Sequence, residues 1–200
     1  MSRTASGLRE RKRAAAMHRI QVAAVDLFDA HGFDHVTVEQ VAAAAHVSPS
    51  SIYRYFGTKE ALVIRDEHDD TLMSSLARHL RDHDIYEATA LALDDISEEH
   101  FVRDAELTAR RTRYYFEVPS VRAAWLMTID QTRQALAEAL TARRTAPQRT
   151  PTECHVIAAS LVWALYTAVE QWYLAGAHEP LGPALRKALG AIHPQEDSHG

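Results

Sequence analysis

The chain has 200 residues, 46% hydrophobic and 24% charged, the balance of a globular protein with one good-sized domain or two small ones. A single cysteine, Cys154, excludes an internal disulfide framework and a cysteine-rich zinc site, and the lack of an 18-residue uncharged apolar run predicts no membrane span. The net charge of −5 is uneven: residues 1–60 hold eight Lys+Arg against six Asp+Glu, and residues 61–200 hold fourteen against twenty-one, so only the N-terminal third has the sign to meet a polyanion.

Scarce Gly and Pro with abundant Ala favour helices over sheets. The basic N-terminus has no apolar core of a signal peptide, which predicts a cytoplasmic protein. Residues 1–13 read as a flexible arm carrying Arg9, Arg11, Lys12 and Arg13. Helical periodicity starts near Ala14, with Ile20, Ala24, Leu27 and Phe28 on one stripe, and stops at Gly32. Thr37 opens a second helix, and its spacing to Gln40 matches a capping box. Val38, Val41, Ala42 and Ala45 form its apolar stripe. After a turn at 46–48, Ser48 caps a third helix with Pro49 at its first position, and Phe56-Gly57 ends it. Thr58 then caps a long helix running from about Lys59 toward His83.

Further helices are expected near 85–100, 102–116, 119–144, 152–176 and 181–191, with boundaries at Pro119 and Pro147/Pro151 and a polar tail from 193. Thr150-Pro151-Thr152-Glu153 is a strong helix start: cap, proline and a Glu three residues after the cap. The predicted fold is all-α.

A longer helix followed by two short ones around a tight turn predicts a helix-turn-helix. Val41, Ala42, Ala45, Val47 and Ile52 supply its miniature core, which leaves Ser50, Ser51, Arg54 and Tyr55 for the outer face. The run from Thr37 to Leu62, with the Ile52-Tyr53-x-x-Phe56 pattern and the Thr58-Lys59-Glu60 junction, resembles the DNA-binding domain of the TetR family of transcriptional regulators. Residues 24–33, AVDLFDAHGF, resemble the end of that family's first helix. One position departs: the turn residue usually held by Gly is His46, which tolerates positive φ better than most side chains.

The resemblance implies a DNA-binding domain over 1–60 and a helical ligand-binding and dimerisation domain over 61–200. It implies DNA contacts by Thr37, Ser48, Ser50, Ser51, Tyr53, Arg54, Tyr55 and Lys59, with the helix at 49–56 in the major groove. Ser50 and Ser51 would reach bases or phosphates, the tyrosine hydroxyls phosphates, and Arg54 a guanine edge or a phosphate. It further implies a homodimer reading two half-sites of operator DNA, with Ala159, Val162, Trp163, Val169 and Leu185 in the interface. The expected function is a ligand-responsive repressor, released from a palindromic operator by a largely apolar small molecule. A DNA-binding activator and a helical enzyme are the alternatives; no Ser/His/Asp arrangement, HExxH pattern or phosphate-binding glycine loop supports the enzyme.

Tyr114, Tyr115, Trp125, Met127, Trp163 and Tyr166 combine apolar bodies with polar edges and are the candidate ligand contacts, with plain core packing as the alternative for each. The segment 110–124 resembles a subset of TetR regulators, some of which respond to acyl-CoA-like molecules. Arg110, Arg113 and Arg122 would either receive an acidic head group or pair with Glu106, Glu117 or Asp104. His79 and His83 have the i, i+4 spacing of two metal ligands, but no third ligand accompanies them, so neither metal nor cofactor is expected.

Overall fold

The computed structural model of the protein describes residues 3–142 and 149–193; the boundary expected at Pro147 and the tail from 194 onward lie outside them. Among the described residues every regular element is helical. The N-terminal unit comprises α1 (Arg3–His31), a 3-10 turn (Phe33–His35), α2 (Val38–Ala44), α3 (Pro49–Tyr55) and the single turn α4 (Ala61–Ile64). The body comprises α5 (Asp69–His79), α6 (Ile85–Ile96), a π-helical segment (Ser97–Arg103), α7 (Ala105–Glu117), α8 (Pro119–Ala142), α9 (Pro151–Leu174) and α10 (Leu181–Ile192).

The helix starts follow the sequence signals. Thr37 Oγ1 accepts from Gln40 N at 3.2 Å while Gln40 Oε1 accepts from Thr37 N at 2.8 Å, a closed capping box. The same reciprocal pair joins Thr150 and Glu153 at the head of α9. Asp84 caps α6 by accepting from the backbone N–H groups of Tyr86 and Glu87.

Two expectations need correction. Residues 3–13 are the first turns of α1, not a flexible arm. They hold no proline and consist largely of Arg, Lys, Leu, Glu and Ala, all strong helix formers, and Gly7 alone does not stop the run. The long helix expected from Lys59 to His83 is two helices with a break at residues 65–68. Arg65 is extended, with φ −76° and ψ 151°. Two aspartates compete for the backbone beyond it: Asp66 N donates to Asp69 Oδ2 at 3.0 Å, and His68 N donates to Asp66 Oδ1 at 2.8 Å. By length and composition α9 is long and apolar enough to cross a membrane, though no run of 18 uncharged residues occurs in it. Here it packs between α8 and α10, with Leu161, Val162, Tyr166 and Trp172 buried.

Two apolar cores result. One encloses Ile20, Phe28, Val41, Ile52, Phe56 and Leu62 of the N-terminal unit, and Tyr114 of α7 and Val121 of α8 reach into it. The other lies among α6, α8, α9 and α10, around Leu93, Leu161, Trp172 and Leu185.

Candidate nucleic-acid interface and ligand cavity

The turn between α2 and α3 is held by Val47 N donating to Ala42 O at 2.9 Å and His46 N to Ala43 O at 3.2 Å. It requires a left-handed residue, and His46 adopts φ 55° as expected. Ser48 Oγ then accepts from Ser51 N at 3.3 Å and starts α3. Ile52 and Phe56 point into the core, which turns Ser50, Tyr53 and Arg54 outward on a short ridge. Tyr53 is 51% exposed. Arg54 folds over the neighbouring ring, its Cζ 4.7 Å from the Tyr55 centroid, and its Nη2 donates to Tyr55 Oη at 3.1 Å. Lys59 Nζ sits 4.4 Å above the Phe33 ring. The ridge therefore offers hydroxyls and two cations on a rigid, locally capped scaffold. That is what a major groove and its flanking phosphates accept.

Behind the reader lies a buried polar joint. Arg111 of α7 is 4% exposed and reaches the break after α4. Its Nε donates to Val63 O at 2.9 Å and its Nη2 to Ile64 O at 3.3 Å and Arg65 O at 3.1 Å. Its Nη1 donates to the Asp66 carboxylate. Gln21 of α1 also donates to Arg65 O, and Tyr115 Oη to Val63 O at 2.9 Å. The carbonyls left without partners where the helix breaks are thus satisfied by side chains. Burial works against the charge on Asp66, but Arg111 beside it outweighs that and holds the carboxyl well below its usual range. Burial pushes the nearby His100 down to about 4, partly offset by the attraction of Asp66.

A second set of contacts ties α7 to α1. Arg110 Nε donates to Asp29 Oδ2 at 2.8 Å and its Nη2 to Asp26 Oδ1 at 2.7 Å. Arg113 Nη2 donates to Asp29 Oδ1 at 2.6 Å, and Tyr114 Oη donates to the same carboxylate.

A cavity of about 280 Å³ opens directly onto the polar joint. Asp66, His68, His100 and Arg111 form one end of it. Leu93, Phe101, Trp125, Leu165, Val169 and Leu185 are among the apolar side chains that complete its lining. A wider groove of about 700 Å³ runs between α1 and α5, but Arg11, Arg13, Glu67 and Asp70 make it a charged surface cleft. The internal cavity, apolar with a few convergent polar groups, is the better ligand site.

The family model described as bacterial regulatory proteins, tetR family, matches residues 20–65. The family model described as the MftR C-terminal domain matches residues 83–196, more than half of the chain. The chain belongs to the TetR family. Among curated relatives it is 25% identical to a protein of Mycobacterium tuberculosis described as a candidate mycofactocin biosynthesis transcriptional regulator, MftR, over 90% of this chain and 89% of that one. It is 26% identical to the HTH-type transcriptional regulator TcmR of Streptomyces glaucescens, over 94% of this chain and 88% of that one. Among solved structures, the fatty acid degradation regulator FadR of Bacillus halodurans superposes with TM-score 0.55 at 19% identity, covering 89% of this chain and 96% of that one. Thermus thermophilus FadR, a TetR-family repressor solved with lauroyl-CoA, superposes with TM-score 0.53 at 22% identity, covering 87% and 91%. The protein is a DNA-binding transcriptional regulator of the TetR type.

Thr37 and Ser48 spend their side-chain oxygens on helix caps at the reader surface, while Ser50, Tyr53 and Arg54 project from it. Ser51, Tyr55 and Lys59 are half-buried at its edges, and the side chain of Arg9 lies outside the described residues. Of the six aromatic and Met residues expected at a ligand, Tyr115 and Trp125 line the cavity. Tyr166 stacks on Trp125 with centroids 4.8 Å apart. Tyr114 instead packs edge-on against Phe28 in the reader core, and Met127 and Trp163 are exposed. Ala159 and Trp163 sit toward the outside of α9, Val162 is buried within the subunit, and Val169 and Leu185 line the cavity. Arg110 and Arg113 are taken by ion pairs, with α1 as the main partner rather than the acids expected nearby. Arg122 lies 4.0 Å from Glu170. The sequence reading passed over Arg111, the buried arginine. Its only signal was position: it lies on the same helical run as Arg110 and Arg113 but faces inward.

Proposed function

We propose that the protein is a ligand-responsive repressor that binds a palindromic operator as a homodimer and is released by a largely apolar effector with a polar end. The observation that carries this reading is the cavity beside the joint: a ligand that fills it touches the residues that hold α4, and α4 belongs to the reader core. An effector that prefers one arrangement of that joint shifts the spacing of the two reading heads, typically by a coupling of about 1–3 kcal/mol. Support for an acyl-chain effector comes from the shared fold of the FadR structure solved with lauroyl-CoA. The cavity's apolar lining fits the chain of such a molecule. For the dimer, α9 presents a stripe in which Val156, Trp163 and Leu174 are 60%, 47% and 68% exposed. Ser160 and Thr167 lie between them on the same face at helical spacing. Exposed apolar side chains in one stripe are what a helix–helix interface between two copies covers. The location that follows is the cytoplasm, and no catalytic role is assigned.

The test is binding of purified protein to the DNA flanking its own gene at two salt concentrations. Wild type binds tightly, and affinity falls steeply with salt as counterions are released. Tyr53→Ala and Arg54→Ala, both at exposed positions, lose roughly tenfold or more without loss of fold. Titrating acyl-CoA thioesters of increasing chain length then releases the DNA. Binding by wild type and both variants alike would sink the assignment of α3 as the reading element.

A further inference from the structure

We propose that Asp66, His68 and His100 form a binding site for one divalent transition-metal ion of the imidazole-preferring kind, bridging the break after α4 to the π-helical segment of the body. One donor atom from each residue lies within 4.8 Å of the other two. His100 Nδ1 is 3.4 Å from Asp66 Oδ2, long for a charge-assisted hydrogen bond. It is close to the edge of a tetrahedron around an ion with bonds of about 2.1 Å, roughly 3.4 Å. The His68 and His100 ring centroids lie 5.2 Å apart with their planes tilted by 51°, and neither residue is fully buried.

Away from the joint, histidines sit near carboxylates in pairs: His193 Nε2 is also 3.4 Å from Asp84, but no second imidazole joins it among the described residues. His79 Nε2 lies 2.9 Å from Asp95 and His83 Nδ1 3.0 Å from Glu87, ordinary hydrogen-bond lengths in separate pairs. Only at the joint do two imidazoles and a carboxylate converge with room between them among the described residues that carry such groups. The surroundings suit a cation. His68 Nε2 lies 3.7 Å from Asp104 Oδ2, and Glu67 and Asp104 form an adjoining cluster with His18. Asp66, Glu67, Asp69 and Asp104 outnumber Arg111 there, so the surroundings are acidic. Arg111 Nη1 donates to the same Asp66 Oδ2 that faces His100, and the His68 N–H donates to Oδ1 at 2.8 Å; together they fix the orientation of the carboxylate, the role that neighbours of metal ligands play. All three proposed ligands also line the cavity, so a water or an effector oxygen has access to the remaining position. Two imidazoles and one carboxylate suit Zn²⁺, Co²⁺ or Ni²⁺ better than Mg²⁺ or Ca²⁺.

The test uses the untagged full chain, stripped with a chelator and titrated with Co²⁺. Wild type develops intense visible bands that saturate at one ion per chain, and Zn²⁺ bleaches them by displacement. His68→Ala and His100→Ala each weaken binding by roughly tenfold or more, while a His79→Ala/His83→Ala variant titrates as wild type. Zn²⁺ raises the melting temperature of wild type and not of His68→Ala, because an ion that binds only the folded chain stabilises it. If His100→Ala does not fold, His68→Gln, at a partly exposed position, carries the same comparison. The proposal is overturned if wild type gives no saturable band, or if the His68 variants bind Co²⁺ as wild type does.

Discussion

The reader and the body are both helical, yet they solve the packing problem in opposite ways. In the reader, three short helices of four to seven residues close against the C-terminal half of α1 around Ile20, Phe28, Val41, Ile52 and Leu62, all at most 2% exposed. Of these, α2 and α3 are started by side-chain caps from Thr37 and Ser48. In the body, helices of up to 24 residues leave about 280 Å³ open between them. A close-packed unit transmits a displacement without absorbing it, whereas a unit with a void has alternative packings for a ligand to choose among. The polar joint around Arg111 connects the two, and the comparison can be broken most directly there.

Arg111→Met removes the guanidinium bonded to the buried Asp66 and strips donors from the carbonyls of Val63, Ile64 and Arg65. Leaving a buried charge unpaired costs about 3–5 kcal/mol, so this variant shows the largest loss in a urea melt. Arg111→Lys keeps the charge but not the planar fork that reaches three carbonyls, and loses about 1–3 kcal/mol. If the Met variant melted like wild type, the joint would be a passive contact, and reader and body would be coupled elsewhere.

Adding volume separates the two packings. Val41 is fully buried in the reader, and Val169 lines the cavity. Val41→Phe overpacks a closed core and costs about 1–3 kcal/mol. Val169→Phe grows into the void and costs under about 1 kcal/mol, while it competes with the effector for space. Thermal melts of both variants, with operator binding at saturating acyl-CoA, read this out: the Val169 variant folds well and responds weakly. Equal destabilisation of the two would mean that the body is packed as tightly as the reader.

This contrast also explains what was legible in the sequence. Caps, turns and the helix-turn-helix depend on residues within about one helical turn of each other, so Thr37, Ser48, Pro49 and Thr150 announced their elements. The break at 65–68 was missed because the local competition of Asp66 and Asp69 is only part of its cause: Arg111 and Gln21, far along the chain, cap the carbonyl of an extended Arg65. The cluster of Asp66, His68 and His100 was hidden for the same reason, since ligands 32 positions apart make no motif. Aromatic side chains marked the ligand region only coarsely. Composition does not say which face of α7 or α8 turns inward, so Tyr115 and Trp125 reach the cavity while Tyr114 and Met127 do not.

The second tie between the halves, at Asp29, is open to solvent and is tested by acid. Burial pushes its carboxyl up, but hydrogen bonds from Tyr114 and Arg110 and the charges of Arg113 and Arg110 outweigh this and hold it below the usual range. A carboxyl lowered on folding adds stability above its unfolded value, about 3.9, and loses it as pH falls through the folded value. The melting-temperature difference between wild type and Asp29→Asn is therefore constant above about pH 5 and shrinks below about pH 4. It also narrows in high salt, because the ion pairs are exposed. A difference that grew on acidification would have the wrong sign for this arrangement.

The smallest effect lies inside the reader, at the residue that departs from the family's glycine. His46 is exposed and holds φ 55°. A left-handed L-residue costs about 1–2 kcal/mol. Glycine avoids that cost but loses about 0.5–1 kcal/mol of extra chain entropy on folding. The two nearly cancel, so His46→Gly changes stability by less than about 1 kcal/mol, in the stabilising direction. A β-branched side chain has no such offset, and His46→Val destabilises the reader by more than His46→Gly stabilises it. Paired urea melts of the two variants decide whether the turn is set by backbone conformation alone. If Val were tolerated as well as Gly, the α2–α3 turn would have freedom that its hydrogen bonds to Ala42 and Ala43 do not allow, and the reader would be less rigid than the body it answers to.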